Sequence, residues 1–145
     1  MAMNKILPIL TLSVNGLNGP MKKHRVAEYI KKHDPHICCL QEAQLITKDL
    51  HRLKVKGWKK IFQANRQEKK AGVAILMSAK IDFKTKAIKT DTEGHFIILK
   101  GRIRQEDINI VNIDAPNTVT PKYIRKILED FKKDLDTLIL EDFNT

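Results

Sequence analysis

The sequence predicts an α/β (α+β) domain, a mixed sheet with helices on one face. Three observations carry that reading. Short apolar runs closed by turn residues recur along the chain, the pattern of strands. Two segments, around Val26–Ile30 and Ile124–Leu135, repeat their apolar residues at helical spacing. The 145 residues carry no internal repeat, low-complexity tract or linker, so one domain, 1–145, with one core is expected. Hydrophobic residues at 42% and charged residues at 30% give a globular balance and exclude a disordered chain.

In order, Leu10, Leu12 and Val14 alternate with Thr11, Ser13 and Asn15, a period of two that marks a strand. Gly16 and the run Asn18 to Pro20 break it. Val26, Tyr29 and Ile30 then define the apolar side of an amphipathic helix, with Lys22, Lys23, Arg25, Lys31 and Lys32 on its outer face. Asp34-Pro35 ends it, because the residue before proline is pushed out of helical geometry. The stretch HICCLQE, 36–42, reads as a short buried strand. Further strands are expected at Trp58 to Ala64, Ala71 to Met77, Gly94 to Ile103 and Ile108 to Ile113, most of them separated by Lys-rich or Gly-containing turns. Thr120-Pro121 starts a second helix with a capping hydroxyl and a proline in first position. Ile124, Ile127, Leu128, Phe131 and Leu135 form its apolar stripe. Leu138 to Leu140 is the last strand.

There are 27 Lys+Arg against 17 Asp+Glu, a net charge of +10. That excess favours a polyanionic partner, nucleic acid before an acidic membrane surface. The basic density is high at Lys22, Lys23 and Arg25, from Lys54 to Lys60, and at Arg66, Lys69 and Lys70. The only cysteines are the neighbours Cys38 and Cys39. Adjacent strand residues point to opposite faces, so the pair forms no disulfide framework, and it lacks zinc-site spacing. A reduced intracellular setting, nucleus or cytoplasm, is expected. No apolar run is long enough to span a membrane. Ile6 to Leu12 is short, holds Pro8 and precedes no small-residue cleavage site, so no signal peptide is expected.

Polar and acidic residues recur where the apolar strands end: Ser13 and Asn15, Glu42, Asp114 and Asn117, Asp142 and Asn144. Neighbouring strands would bring them to one rim. Carboxylate and amide oxygens on a rim suit Mg²⁺, which polarises phosphates and lowers the pKa of a bound water. The same residues are also ordinary turn formers, and spacing alone leaves both readings open.

The segments LTLSVNGLN, ICCLQEAQL, KKAGVAILMS, EGHFIILKG, VNIDAPN and LILEDFN stand in the order seen in the endonuclease/exonuclease/phosphatase superfamily. The chain resembles that superfamily over nearly its whole length. Within it, the resemblance points to the endonuclease domain that opens the second reading-frame protein of mammalian long interspersed retrotransposons, with exonuclease III and the apurinic endonucleases as more distant relatives. It implies the first part of a four-layer α/β sandwich of the DNase I-like type, two packed sheets with helices outside. It also implies hydrolysis of phosphate esters with Mg²⁺, or Mn²⁺ in its place, and DNA as the substrate. By the resemblance, Glu42 is a metal ligand and Asn15 the amide beside the metal. Asp142 orients or deprotonates the attacking water. Asn144 contacts the scissile phosphate, and Asn117 supports it.

The departures are as specific. Ser13 stands where the family has a catalytic asparagine, and Asp114 where it has a tyrosine that contacts the phosphate or nucleophile. Ala43 replaces a threonine after the metal-binding glutamate, and Glu141 a glycine before Asp142. Family domains continue past the position of Thr145 through a second sheet, with a closing serine-aspartate-histidine motif. None of the five histidines, His24, His33, His36, His51 and His95, occupies that motif, and all are expected at the surface. A truncated, impaired nuclease is therefore expected, with a non-catalytic nucleic-acid-binding remnant as the alternative. Lacking most of the second sheet, it is expected to expose an apolar sheet face and to self-associate through it.

Overall fold

Ile9–Ser13 (β1) lies parallel to Ile37–Ile46 (β2), and the helix Pro20–His33 (α1) makes the crossover between them. A computed structural model describes residues 8–13, 20–46, 58–66, 70–91, 94–116, 122, 125, 126, 129 and 137–144. Beyond β2 come Trp58–Arg66 (β3), Lys70–Ser78 (β4), Phe83–Thr90 (β5), Phe96–Ile103 (β6), Glu106–Pro116 (β7) and Thr137–Asn144 (β8). They form two four-stranded sheets, ordered β1-β2-β4-β3 and β5-β6-β7-β8. β7 and β8 are parallel, like β1 and β2, and every other pair is antiparallel.

The alternation of apolar residues explains the layering. On β2, Ile37 and Cys39 face the second sheet, while Cys38 and Leu40 face α1. Ile37, Cys39, Val73, Ile75 and Met77 of the first sheet meet Ile97, Leu99, Ile108 and Ile110 of the second in one buried cluster. On the other side, Ile30 and Val26 of α1 seat on Cys38, Leu40, Ala74 and Leu76. The two thiols thus occupy different layers, as the strand geometry requires. Burial pushes the Cys38 thiol up to about 12 and the Cys39 thiol well above its ordinary value.

The mixed α/β class holds, with an important difference in the sheets. Most of a second sheet was expected to be missing. Instead a four-stranded second sheet is present and covers the inner face of the first. The apolar strands were legible, but which of them share a sheet depends on long-range pairing. β5 was not anticipated, because seven of its eight residues are exposed and only Phe83 is apolar and buried. Tyr29 was assigned to the core side of α1, yet it is 45% exposed and packs edge-on against His33 at 4.2 Å between centroids. One position separates it from Ile30, enough to turn it out of the buried arc. Outside the described residues lie Val14, His51, Thr120-Pro121 and the apolar stripe of the second helix. Lys122, Arg125, Lys126 and Glu129 are helical and exposed.

Candidate active-site rim

The two parallel pairs position the rim. In each, both strands point the same way, so their C-terminal ends share an edge. Ser13 is in register with Gln41, and Glu42 is the next residue of β2. Asp114 is in register with Asp142, and Asn144 with Pro116. A buried amide pair then joins the two edges. Gln41 Nε2 donates to Asn112 Oδ1 at 2.9 Å and to the Ile113 carbonyl at 3.4 Å. Asn112 Nδ2 donates to the carbonyls of Leu40 at 3.2 Å and Ala74 at 3.0 Å. Glu42 is one residue beyond Gln41, and Asp114 is two beyond Asn112. The structure therefore brings the backbones of Ser13, Glu42, Asp114, Asp142 and Asn144 to one rim. Asn15, Asn117 and Lys69 lie outside the described residues.

The turn between β5 and β6 lies against the same rim. The Asp114 amide donates to the His95 carbonyl at 2.7 Å. His95 Nδ1 lies 3.0 Å from Asp91 Oδ2, which also accepts from the His95 amide at 3.3 Å. Gly94 closes this turn with a left-handed φ of 74° and a bond from its amide to the Asp91 carbonyl at 3.1 Å. Its carbonyl oxygen would sit 2.3 Å from a β-carbon at Gly72. Glycine at 72 is what lets β4 and this turn approach so closely.

Three of these features were missed. Gln41 and Asn112 were passed over as parts of apolar strands, although Asn112 follows Ile108 and Ile110 at a period of two and so had to point inward. His95 was expected at the surface and is half-buried on Asp91. His36 also departs, with a buried Nδ1 that lacks a partner among the described residues. His24 and His33 are exposed, as expected.

Of the expected nucleic-acid contacts, Arg66 and Lys70 are in register with each other where β3 ends and β4 begins, beside Ile46 of β2. Strand order therefore puts them on the rim side of the first sheet. Lys22, Lys23 and Arg25 lie in the first turns of α1, and Arg25 is exposed. A crossover helix runs back against its strands, so that end of α1 also lies toward the rim. Among the described residues, no three His, Cys, Asp or Glu side chains cluster closely enough to hold a metal ion. None of the described helices is long and apolar enough to cross a membrane.

The profile of the endonuclease/exonuclease/phosphatase family matches residues 10–139. Among solved structures, TDP2 of D. rerio complexed with single-strand DNA product superposes with a TM-score of 0.66 at 15% identity, covering 93% of this chain and 58% of that one. A truncated Caenorhabditis elegans TDP2 gives 0.62 at 20% identity, covering 92% and 59%. The mannosyl-6-phosphatase of Bacteroides thetaiotaomicron gives 0.68 at 15% identity, covering 96% and 66%. At these identities the likeness is one of fold. The chain spans about three-fifths of the length of the TDP2 structures.

Proposed function

The chain belongs to the endonuclease/exonuclease/phosphatase family, whose members are hydrolases, and from that membership we propose a Mg²⁺-dependent DNA phosphodiester hydrolase site on the rim, impaired by its own substitutions. The observation that supports it is the convergence of Ser13, Glu42, Asp114, Asp142 and Asn144 on one edge behind the Gln41–Asn112 bridge. These residue types carry carboxylate, amide and hydroxyl oxygens, the kind of donor that a hard divalent cation prefers, so the residue types suit the ion. Glu42 and Asn15 would hold Mg²⁺, or Mn²⁺ in its place. When bound, the ion supplies neutralising charge and a lower pKa for its water. Asp142 orients or deprotonates the attacking water, while Asn144 contacts the scissile phosphate and Asn117 supports it. The net charge of +10 suits a long polyanion better than a small phosphate ester, and one structural relative was solved with a DNA product. The retrotransposon endonuclease branch, acting on nuclear DNA, remains the proposed lineage.

Ser13 and Asp114 favour a second reading, a basic nucleic-acid-binding remnant without turnover. Asp114 puts a carboxylate where a neutral phenol would meet a phosphate, and like charges in a confined site repel. Losing one preorganised group of this kind costs about 10²–10³ in rate. Nicking of supercoiled plasmid in Mg²⁺ and in EDTA separates the readings. The hydrolase reading expects faint, EDTA-sensitive nicking that Asp142→Ala abolishes and the Ser13→Asn/Asp114→Tyr double variant raises. DNA binding with no nicking in either protein selects the remnant.

A further inference from the structure

The outer face of the second sheet carries a charge pattern that neither the core nor the rim uses. Phe83 and its register partner Ile103 both point into the inter-sheet core. Their strand neighbours Lys84 and Arg102 therefore share the outer face, two cations directly opposite each other. Lys100, paired with Ala87, and Lys89, paired with Ile98, extend that face. Lys86 sits in the β5 bulge, and Arg104 in the turn to β7 with a φ of 53°. All six side chains are exposed. One acid, Asp107, serves two of them, accepting from Lys86 Nζ and from Arg102 Nε, each at 2.9 Å. Lys84, Lys89 and Arg104 form no ion pair among the described residues.

Like charges facing each other across a sheet are destabilising. Lysines on an edge strand do discourage edge-to-edge pairing, which would account for β5. They do not account for Lys100 and Arg102, which lie on an interior strand, or for Arg104 in the turn. Along that line a cation recurs every second residue, a spacing of about 6.6 Å. Successive phosphates of an extended single strand are separated by a similar step. Lys84, Arg102 and Arg104 also border a surface depression with Asp82 and Gln105. The row begins about 23 Å from Asp114, seven residues away along β7, and runs toward the rim. The exposed large apolar side chains among the described residues, Met21, Tyr29 and Ile88, do not lie on this face. A membrane-docking surface would combine cations with such groups.

We propose that this face is a binding surface for the phosphate backbone of single-stranded nucleic acid, distinct from the rim and independent of metal. The contact is electrostatic and indifferent to sequence, because no described aromatic ring on it could stack a base. Anisotropy of a fluorescein-labelled single-stranded 20-mer, measured in EDTA across a salt series, tests this whether or not the chain hydrolyses anything. K84E/K89E/R104E is expected to lose at least tenfold in affinity and to flatten the log–log salt slope by about 2, three phosphate contacts at roughly 0.7 each. K31E/K32E/K122E, the same charge change at exposed helical positions, is expected to lose less than threefold. Equal losses in the two variants would reduce the effect to net charge and overturn the proposal. So would unchanged oligonucleotide binding, with or without lost binding to phosphatidylserine vesicles. If a reversal variant fails to fold, the glutamine counterparts at the same positions are read against each other in the same way.

Discussion

Asn112 accepts from Gln41 and gives both its amide protons to carbonyls of the facing sheet, so one side chain fastens two layers just beneath the rim. A buried polar group left without partners costs about 1–3 kcal/mol. Asn112→Ala removes the bonds to the Leu40 and Ala74 carbonyls and one of Gln41's bonds, and it also opens a small cavity. We expect a loss of about 2–4 kcal/mol, read from the denaturant midpoint. Gln41→Ala should cost less, and the double variant less than the sum, since the two share one bond. The thiols give a second residue-scale expectation. Burial holds Cys38 protonated up to about 12, whereas its ordinary value is 9.0. The folded-state pKa is raised, so its stabilising contribution is complete below pH 9 and is lost as pH climbs from 9 toward 12. Each such thiol adds a slope of about 1.4 kcal/mol per pH unit in that window. The C38A/C39A protein should lose stability more gently there, as followed by urea denaturation at pH 9, 10 and 11. Neither the amide bridge nor its importance was read from the sequence. Asn112 stood at an inward strand position, but its partner is 71 residues away.

At the scale of elements, β4 depends on glycine at one point. A β-carbon at position 72 would meet the Gly94 carbonyl oxygen at 2.3 Å, and a backbone atom cannot swing aside. Gly72→Ala must push the β5–β6 turn away, and with it the His95 carbonyl that anchors the Asp114 amide. We expect destabilisation of about 1–3 kcal/mol, seen as a lower melting temperature, with faster hydrogen exchange at the Asp114 amide. β5 shows the limit of periodicity as a signal. Its only buried residue is one phenylalanine, and the strand exists because β6 offers it a hydrogen-bonding edge. α1 shows the opposite case. Val26 and Ile30 recur at four-residue spacing, and their seat on Cys38 and Leu40 follows from that pattern.

For the whole molecule, the inner faces of the two sheets cover each other through a fully buried cluster that includes Ile37, Val73, Ile75, Ile97, Leu99 and Ile110. That removes the open inter-sheet face from which self-association was expected. Sizing chromatography should give a monomer, and 8-anilinonaphthalene sulfonate should stay dim until the chain is unfolded. A dimer with bright dye in native buffer would show that apolar surface remains open. By itself, the sequence determined the mixed α/β class, most of the strands, the first helix, the opposite faces of the two thiols and the residue types of the rim. Those follow from local periods of 2.0 and 3.6 residues and from polar residues closing apolar runs, which need no knowledge of distant neighbours. Only the tertiary structure decided that the eight described strands divide into two sheets, that β5 is one of them, and that Gln41 meets Asn112. It also set Lys84 against Arg102. Strand pairing and sheet packing join residues far apart in sequence, and a strand's own pattern fixes which side is apolar without naming what will cover it.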